Sequence, residues 1–200
     1  MSRLDTIEKI RRDLFSGYNY WMNLQKTKKG ATNMTKEDCC FINENKWFRY
    51  RAAAVIIEDN CVLFAKNENE ADDYFYSIGG GVHLGEKADD AILREVYEET
   101  GINYEIDRLI FIHENFFVGT GSLSGYDCHE IAFYYLMKSR GTKELNSNSY
   151  TTTSMGTYKE NMYWLPICEL KDYKAFPAFF AEELINLPQT MKHIVTDERI

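Results

Sequence analysis

Three glutamates lie close together near the middle of this 200-residue chain. Glu95, Glu98 and Glu99 have the spacing i, i+3 and i+4, which places side chains on one face of an α-helix. Three like charges on one face repel each other in water. Hard cations such as Mg²⁺ prefer oxygen ligands and would relieve this repulsion. The three glutamates therefore indicate a site for divalent cations.

A cation site of this kind suits the hydrolysis of a phosphate anhydride. A bound divalent cation bridges phosphate oxygens, stabilises the charge that develops on the leaving group and lowers the pKa of a bound water. A glutamate cluster on its own is more often a solvated helix face, so the neighbouring residues must distinguish such a face from a cation site. Gly79, Gly80 and Gly81 precede the helix and let the backbone approach a ligand closely. The N–H groups at the start of the helix favour anions.

The segment from Gly80 to Ile102 resembles the signature motif of the Nudix hydrolase family. That motif is a glycine followed, at fixed spacing, by Glu, Arg-Glu, an aliphatic residue, Glu-Glu, Gly and a second aliphatic residue. All the fixed positions and both intervals agree, which rarely happens by chance. The matching residues are Gly80, Glu86, Arg94, Glu95, Val96, Glu98, Glu99, Gly101 and Ile102.

The resemblance implies which residues bind the metal. Glu95, Glu98 and Glu99 would ligate Mg²⁺ or Mn²⁺, and the main-chain carbonyl of Gly79 would be a further ligand. These are all oxygen donors, as a hard divalent cation requires.

The resemblance also implies roles for the residues around these ligands. Arg94 would belong to the catalytic residues and would either orient Glu95 or pair with Glu86. Glu86 is then a structural residue. Gly80 and Gly81 would contact the substrate through their backbone, and either Glu95 or Glu130 would accept a proton from the attacking water.

Many members of the family use a further carboxylate outside the motif as a metal ligand or general base. Glu130 and Glu114 are the two candidates, and each has the alternative of being a surface or structurally paired glutamate. We favour Glu130 as a catalytic residue because the surrounding sequence HEIAFYY resembles what many members carry there. Phe116 and Phe117 follow Glu114 closely, and we expect them to bind the substrate by stacking on its base, with packing in the core as the alternative.

The resemblance implies a Mg²⁺-dependent hydrolase that cleaves the diphosphate linkage of a nucleoside diphosphate joined to another moiety. An alternative is a non-catalytic Nudix-like module that senses a nucleotide, although such modules usually have an eroded motif. A relative of isopentenyl-diphosphate isomerase is a third reading, but Cys39 and Cys40 lack the catalytic cysteine context of that enzyme. The residues after the motif match no substrate subgroup.

The elements around the motif must hold its helix against a sheet. The sequence pattern predicts that helix at residues 88–100, with its end at Gly101. We expect Ile92 and Val96 to anchor it to the core. A hairpin is predicted from strands at 49–58 and 61–65 with a turn at Asp59 and Asn60. We also predict strands at 74–78, 103–117, 127–138, 163–165 and 193–196, a long loop at 139–160 and a helix from Pro177 to Leu187.

These elements mix without regular βαβ alternation, which argues against a doubly wound sheet. Together with the resemblance they predict an α/β protein, a Nudix-type α/β/α sandwich with a mixed β-sheet. Ile7, Ile10 and Leu14 recur at helical spacing, so we predict an N-terminal helical extension at residues 1–46. Residues 47–200 would form the Nudix hydrolase domain.

The composition limits the partners that we expect. The net charge is −8, from 23 basic and 31 acidic residues, so the chain has no general attraction for nucleic-acid backbones. We expect a small-molecule nucleotide-type substrate, and the charge does not exclude capped RNA as a substrate. The sequence is compatible with a homodimer. The five cysteines include no CxxC pair, which argues against structural zinc and fits a reducing cytoplasm. The charged N-terminus and the lack of a long apolar run predict a cytoplasmic protein without a membrane partner.

Overall fold

The computed structural model describes residues 37–67, 73–146, 150–153 and 156–199. Residues 1–36 of the predicted helical extension lie outside these ranges. In chain order the elements are β1 (Cys40–Asn43), β2 (Lys46–Val55), β3 (Ile57–Glu58), β4 (Cys61–Asn67), β5 (Tyr74–Ser77), β6 (Gly79–Gly81), α1 (Ala88–Thr100), β7 (Ile106–Val118), β8 (Asp127–Met137), β9 (Tyr150–Thr153), β10 (Gly156–Pro166), β11 (Lys174–Phe176), α2 (Phe180–Glu183) and β12 (Lys192–Asp197).

The described strands form two sheets. The first has the order β1-β2-β8-β7-β12, with β6 also paired to β2, and the second has the order β11-β5-β4-β10-β9, with β3 paired to β4. Parallel pairs occur in both sheets, between β2 and β8, β7 and β12, and β5 and β11, whereas the other pairs are antiparallel. The sheets are therefore mixed, as predicted, and β1 adds residues 40–43 to the first sheet.

The predicted hairpin after β2 is confirmed. Asp59 and Asn60 connect β3 to β4, and both have positive φ angles, of 48° and 58°. Two adjacent residues with positive φ are the signature of a type I′ turn, whose twist suits a two-residue hairpin.

Two apolar cores lie on opposite sides of the strands because side chains alternate along β2. Ala52 and Ala54 belong to the core that α1 covers with Ala91, Ile92 and Val96. Ala53 and Val55 face the other way, into the core that contains Phe180 of α2. This arrangement is the predicted α/β/α sandwich.

Two predictions about the second half of the chain were wrong. The segment 139–160 is not one loop, since β9 and the start of β10 form an antiparallel hairpin within it. Its polar sequence shows no apolar alternation, and β10 obtains its backbone partners from β4, which is far away in sequence. The predicted helix from Pro177 to Leu187 shortens to the single turn of α2, flanked by turns. No helix in the described ranges has the length and apolar character that crossing a membrane requires.

Candidate active site

Helix α1 presents the glutamates to the glycine strand β6. The helix begins after Lys87, whose side chain makes no capping hydrogen bond, and Asp89 and Asp90 in the first turn interact favourably with the helix dipole instead. It ends at Gly101, which has the left-handed φ of 69° that a helix C-terminus commonly requires. The predicted bounds of the helix are confirmed.

Glu99 is a buried carboxylate at the end of α1. The backbone N–H of Gly79 donates a hydrogen bond to its Oε1 at 2.8 Å. Burial raises the pKa of Glu99 well above its usual value, and the negative charges of Glu160 and Glu95 raise it further. A cation at this position would therefore relieve both the desolvation and the repulsion between carboxylates.

Glu95 lies one turn earlier, against the glycine strand. Nη1 of Arg94 donates to Oε1 of Glu95 at 2.5 Å. Burial raises the pKa of Glu95, although Arg94 opposes this effect. A Cβ atom at Gly80 would stand 2.6 Å from the Glu95 carboxylate, so this contact requires glycine. The structure thus brings Gly80, Glu95 and Glu99 together, as the motif predicts.

Arg94 connects several of the predicted residues. Its Nε and Nη2 donate to the two oxygens of Glu86 at 3.0 and 2.9 Å, and Nη2 also donates to the carbonyl of Gly81 at 3.1 Å. Nη1 lies 3.5 Å from Oε2 of Glu98, whose side chain is 57% exposed. The hydrogen bonds from Arg94, with one from the His83 N–H, lower the pKa of Glu86 to about 2. Arg94 therefore contacts both Glu86 and Glu95, and its catalytic role stays a prediction.

Arg51 is a site residue that the sequence reasoning missed. It lies on β2, and its Nη2 donates to the carbonyls of Ser77 at 2.6 Å and Gly79 at 3.2 Å. Gly79 has a φ of 131°, and a Cβ there would stand 2.3 Å from the carbonyl oxygen of Ala52. Arg51 thus holds the predicted carbonyl ligand in a tight backbone geometry. The sequence offered one signal for this role, since the charged Arg51 stands directly before the apolar run of three alanines.

Glu160 is a carboxylate outside the motif that the sequence reasoning also missed. It lies on β10, opposite Asn67 of β4, and its charge is the largest electrostatic contribution that raises the pKa of Glu99. The segment was predicted to be a loop, so no strand periodicity pointed to it. The fold therefore places a carboxylate from β10 near Glu99, in addition to Glu95.

The two carboxylates favoured from the sequence have other partners. Glu130 is buried, and its Oε2 accepts hydrogen bonds from Nε and Nη2 of Arg49 at 2.8 and 2.5 Å. Burial alone would raise the pKa of Glu130, but the charges of Arg49 and Arg51 lower it. Oε1 of Glu114 lies 2.7 Å from Nε2 of His193. The catalytic role of Glu130 stays a prediction.

Phe116 and Phe117 pack on rings at one end of the first sheet. Phe116 stacks on His129 with ring centroids 4.3 Å apart, and the Arg199 guanidinium lies 4.5 Å from its centroid. Phe117 meets Trp47 edge to face at 6.3 Å. These contacts do not involve the glutamates of α1, and the substrate-binding role of both residues stays a prediction.

The described residues hold no preassembled cage of three His, Cys, Asp or Glu side chains. Arg94 draws Glu95 toward itself, Gly79 holds Glu99, and Glu98 extends into solvent. The donors are nevertheless all oxygens, and the carboxylates near Glu99 repel each other. This donor set fits a hard divalent cation that would compete with Arg94 for Glu95.

The comparisons with known proteins show the family of this chain and its fold. The family model of the NUDIX domain matches residues 47–183, starting at the first residue of the predicted hydrolase domain. A MutT protein from Bacillus halodurans has a similar structure, with a TM-score of 0.53, 16% identity, and coverage of 74% of this chain and 90% of that chain. For the MutT protein from Methanosarcina mazei Go1 the TM-score is 0.51, the identity 16%, and the coverage 70% and 92%. At these identities the likeness concerns the fold. No curated protein matches the chain in sequence.

Proposed function

The chain belongs to the Nudix family, and we propose that it is a Mg²⁺-dependent hydrolase of a nucleoside diphosphate joined to another moiety. The bond broken is the diphosphate linkage. The observation that supports the proposal best is the buried carboxylate of Glu99, which lies beside the glycine strand and close to Glu95 and Glu160.

The metal would be held by oxygens of α1 and its neighbours. Glu95, Glu98 and Glu99 supply carboxylates from the helix, Glu160 supplies one from β10, and the carbonyl of Gly79 completes the set. When bound, a divalent cation neutralises the diphosphate and makes a water molecule more acidic.

Side chains of this protein would prepare the site for the reaction. Arg94 orients Glu95, and Glu86 holds Arg94 in place through two hydrogen bonds. Glu95 is thereby held beside the glycine strand, where its carboxylate could accept the proton of the attacking water. Glu95 is therefore our candidate for the general base.

The glycine strand would bind the diphosphate closely. Because Gly80 has no side chain, the Glu95 carboxylate lies against the main chain there, so a cation bound to Glu95 would hold the diphosphate next to the glycine strand. Arg51 fixes the carbonyls of Ser77 and Gly79 from behind. Its positive charge also offsets part of the repulsion among the carboxylates, since Arg51 opposes the raised pKa of Glu99.

The test compares Glu98→Gln and Glu99→Gln with the control Asp90→Asn. Asp90 is an exposed carboxylate on the same helix and makes none of the contacts that hold Glu95 and Glu99. We expect both glutamine variants to lose at least about 100-fold in kcat with Mg²⁺, because removing one group that stabilises transition-state charge costs about that much. The control should retain kcat within a few-fold.

The substrates for this test are nucleoside triphosphates, nucleotide sugars, dinucleotides and capped RNA, with products identified by mass. Near-normal turnover by both glutamine variants would contradict the metal role of Glu98 and Glu99. Mg²⁺-dependent nucleotide binding by the wild-type protein without any cleaved product would instead support the sensing alternative.

A further inference from the structure

Three aromatic side chains form a cluster on the surface of the second sheet, and the motif assigns no role to them. We call Tyr74, Tyr76 and Phe176 the aromatic platform. The rings of Tyr76 and Phe176 are nearly parallel, at 24°, with centroids 6.1 Å apart. Tyr74 meets Phe176 edge to face at 5.5 Å, and the Lys174 ammonium lies 5.1 Å from the centroid of Tyr74.

The pairing of β5 with β11 places these rings side by side. The two strands are parallel, with Tyr74 opposite Lys174 and Tyr76 opposite Phe176. Tyr76 is 36% exposed and Phe176 is 39% exposed, so both rings keep surface that a ligand can cover. The two rings therefore form a small aromatic patch, which suits contact with a planar apolar group.

The aromatic platform faces the same side of the sheet as the carboxylates. Residues directly opposite in a ladder share a face, and Tyr76 lies opposite Ala65, which lies opposite Met162. Both Ala65 and Met162 pack in the core that α1 covers. Glu160 is two residues from Met162 along β10, so it also lies on this face.

The separation suits the length of a nucleotide. Tyr76 and Glu160 are two strands apart and offset by two residues. With about 4.8 Å between strands and 3.4 Å per residue, their Cα atoms are about 12 Å apart. The phosphates and ribose of a nucleoside diphosphate cover a comparable distance, so a substrate held at Glu160 and Glu99 can place its base over Tyr76.

We propose that the aromatic platform stacks the base of the substrate. This inference rests on the proposed function, because it takes the position of the diphosphate from the carboxylates near Glu99. The exposed parts of these rings would pack on a planar base, and such stacking accepts any of the bases. The base site is thus on β5 and β11, instead of at Phe116 and Phe117 at the end of the first sheet.

The experiment measures the binding of nucleoside monophosphates, which contain no diphosphate to cleave. The probes are AMP and UMP, with ribose 5-phosphate as the probe without a base. Each is titrated against the protein in the presence of Mg²⁺, and binding is followed by NMR of the ligand. The variants are Tyr76→Ala and Phe176→Ala. The control is Tyr173→Ala, because Tyr173 is also 36% exposed but packs edge to face on Phe75, on the opposite side of β5.

We expect the wild-type protein and Tyr173→Ala to bind AMP more tightly than ribose 5-phosphate. The variants Tyr76→Ala and Phe176→Ala should weaken AMP binding by about 5- to 150-fold, the range found for loss of one aromatic–base stack, and leave ribose 5-phosphate binding unchanged. Phe176→Leu keeps apolar bulk without a ring and should also weaken AMP binding, with an unchanged melting temperature.

Two results would overturn the proposal. One is a wild-type protein that binds ribose 5-phosphate as tightly as AMP and UMP, and the other is a preference for AMP that survives in both alanine variants. The Glu99→Gln variant separates this inference from the proposed function. This variant should lose hydrolysis and keep its preference for AMP over ribose 5-phosphate. If the wild-type protein bound the base at the aromatic platform but cleaved no substrate, that result would contradict the proposed function and leave the base site standing.

Discussion

Glu86 offers a sharp test of how the site is held together, because its role should be seen in stability as well as activity. The carboxylate accepts two hydrogen bonds from Arg94 and one from the His83 N–H, and its side chain is only 14% exposed. Glu86→Gln removes the negative charge and leaves the partly buried Arg94 guanidinium with a weaker partner. We expect lower stability at neutral pH and a lower kcat, since Arg94 would orient Glu95 less well.

The magnitude follows from the pKa of Glu86, which falls from 4.5 to about 2 on folding, a difference of about 3 kcal/mol in favour of the ionised form. Because the folded pKa is the lower one, this contribution is fully present above pH 4.5. It is lost as the pH falls through about 2. The stability difference between the wild-type protein and Glu86→Gln should therefore be largest near neutral pH and shrink between about pH 5 and 2.

The measurement is urea unfolding, followed by tryptophan fluorescence, of both proteins at a series of pH values between 7 and 3. The control is Glu105→Gln, since Glu105 is paired with Lys138 at 2.8 Å but is 76% exposed. Water and salt screen such an exposed ion pair, so this variant should differ little from the wild-type protein at any pH. Parallel pH profiles for the wild-type protein and Glu86→Gln would refute the reasoning.

Three further changes test neighbouring parts of the site. Gly80→Ala should lower kcat by at least about tenfold at a nearly unchanged melting temperature, because the new methyl group displaces only the flexible end of Glu95. Glu130→Ala should reduce the free energy of unfolding by about 3–5 kcal/mol, since it leaves the Arg49 charge without its partner. Under the conditions where Glu130→Ala is folded, a kcat reduced by orders of magnitude would instead support a catalytic carboxylate. Glu160→Gln should weaken Mn²⁺ binding, measured by electron paramagnetic resonance, and unchanged Mn²⁺ affinity would exclude Glu160 from the metal site.

Much of the fold could be predicted because it depends on local patterns. The bounds of α1 follow from its apolar spacing and from Gly101, and the first hairpin follows from Asp59 and Asn60. The strand predicted at 163–165 lies in the second half of β10, but the first half was missed because its residues are polar and β10 obtains its backbone partners from β4, about 100 residues earlier. The helix after Pro177 was predicted too long, since the apolar spacing that Phe180 and Leu184 show serves a single packed turn as well as a longer helix.

The sequence by itself determined that Glu95, Glu98 and Glu99 share one face of a helix that follows three glycines, because helical geometry fixes the relative positions of residues three and four apart. Only the tertiary structure placed Glu160 near Glu99 and paired the carboxylate of Glu130 with Arg49. The register between strands distant in sequence sets those contacts. That register results from the packing of both cores together, which no local pattern encodes.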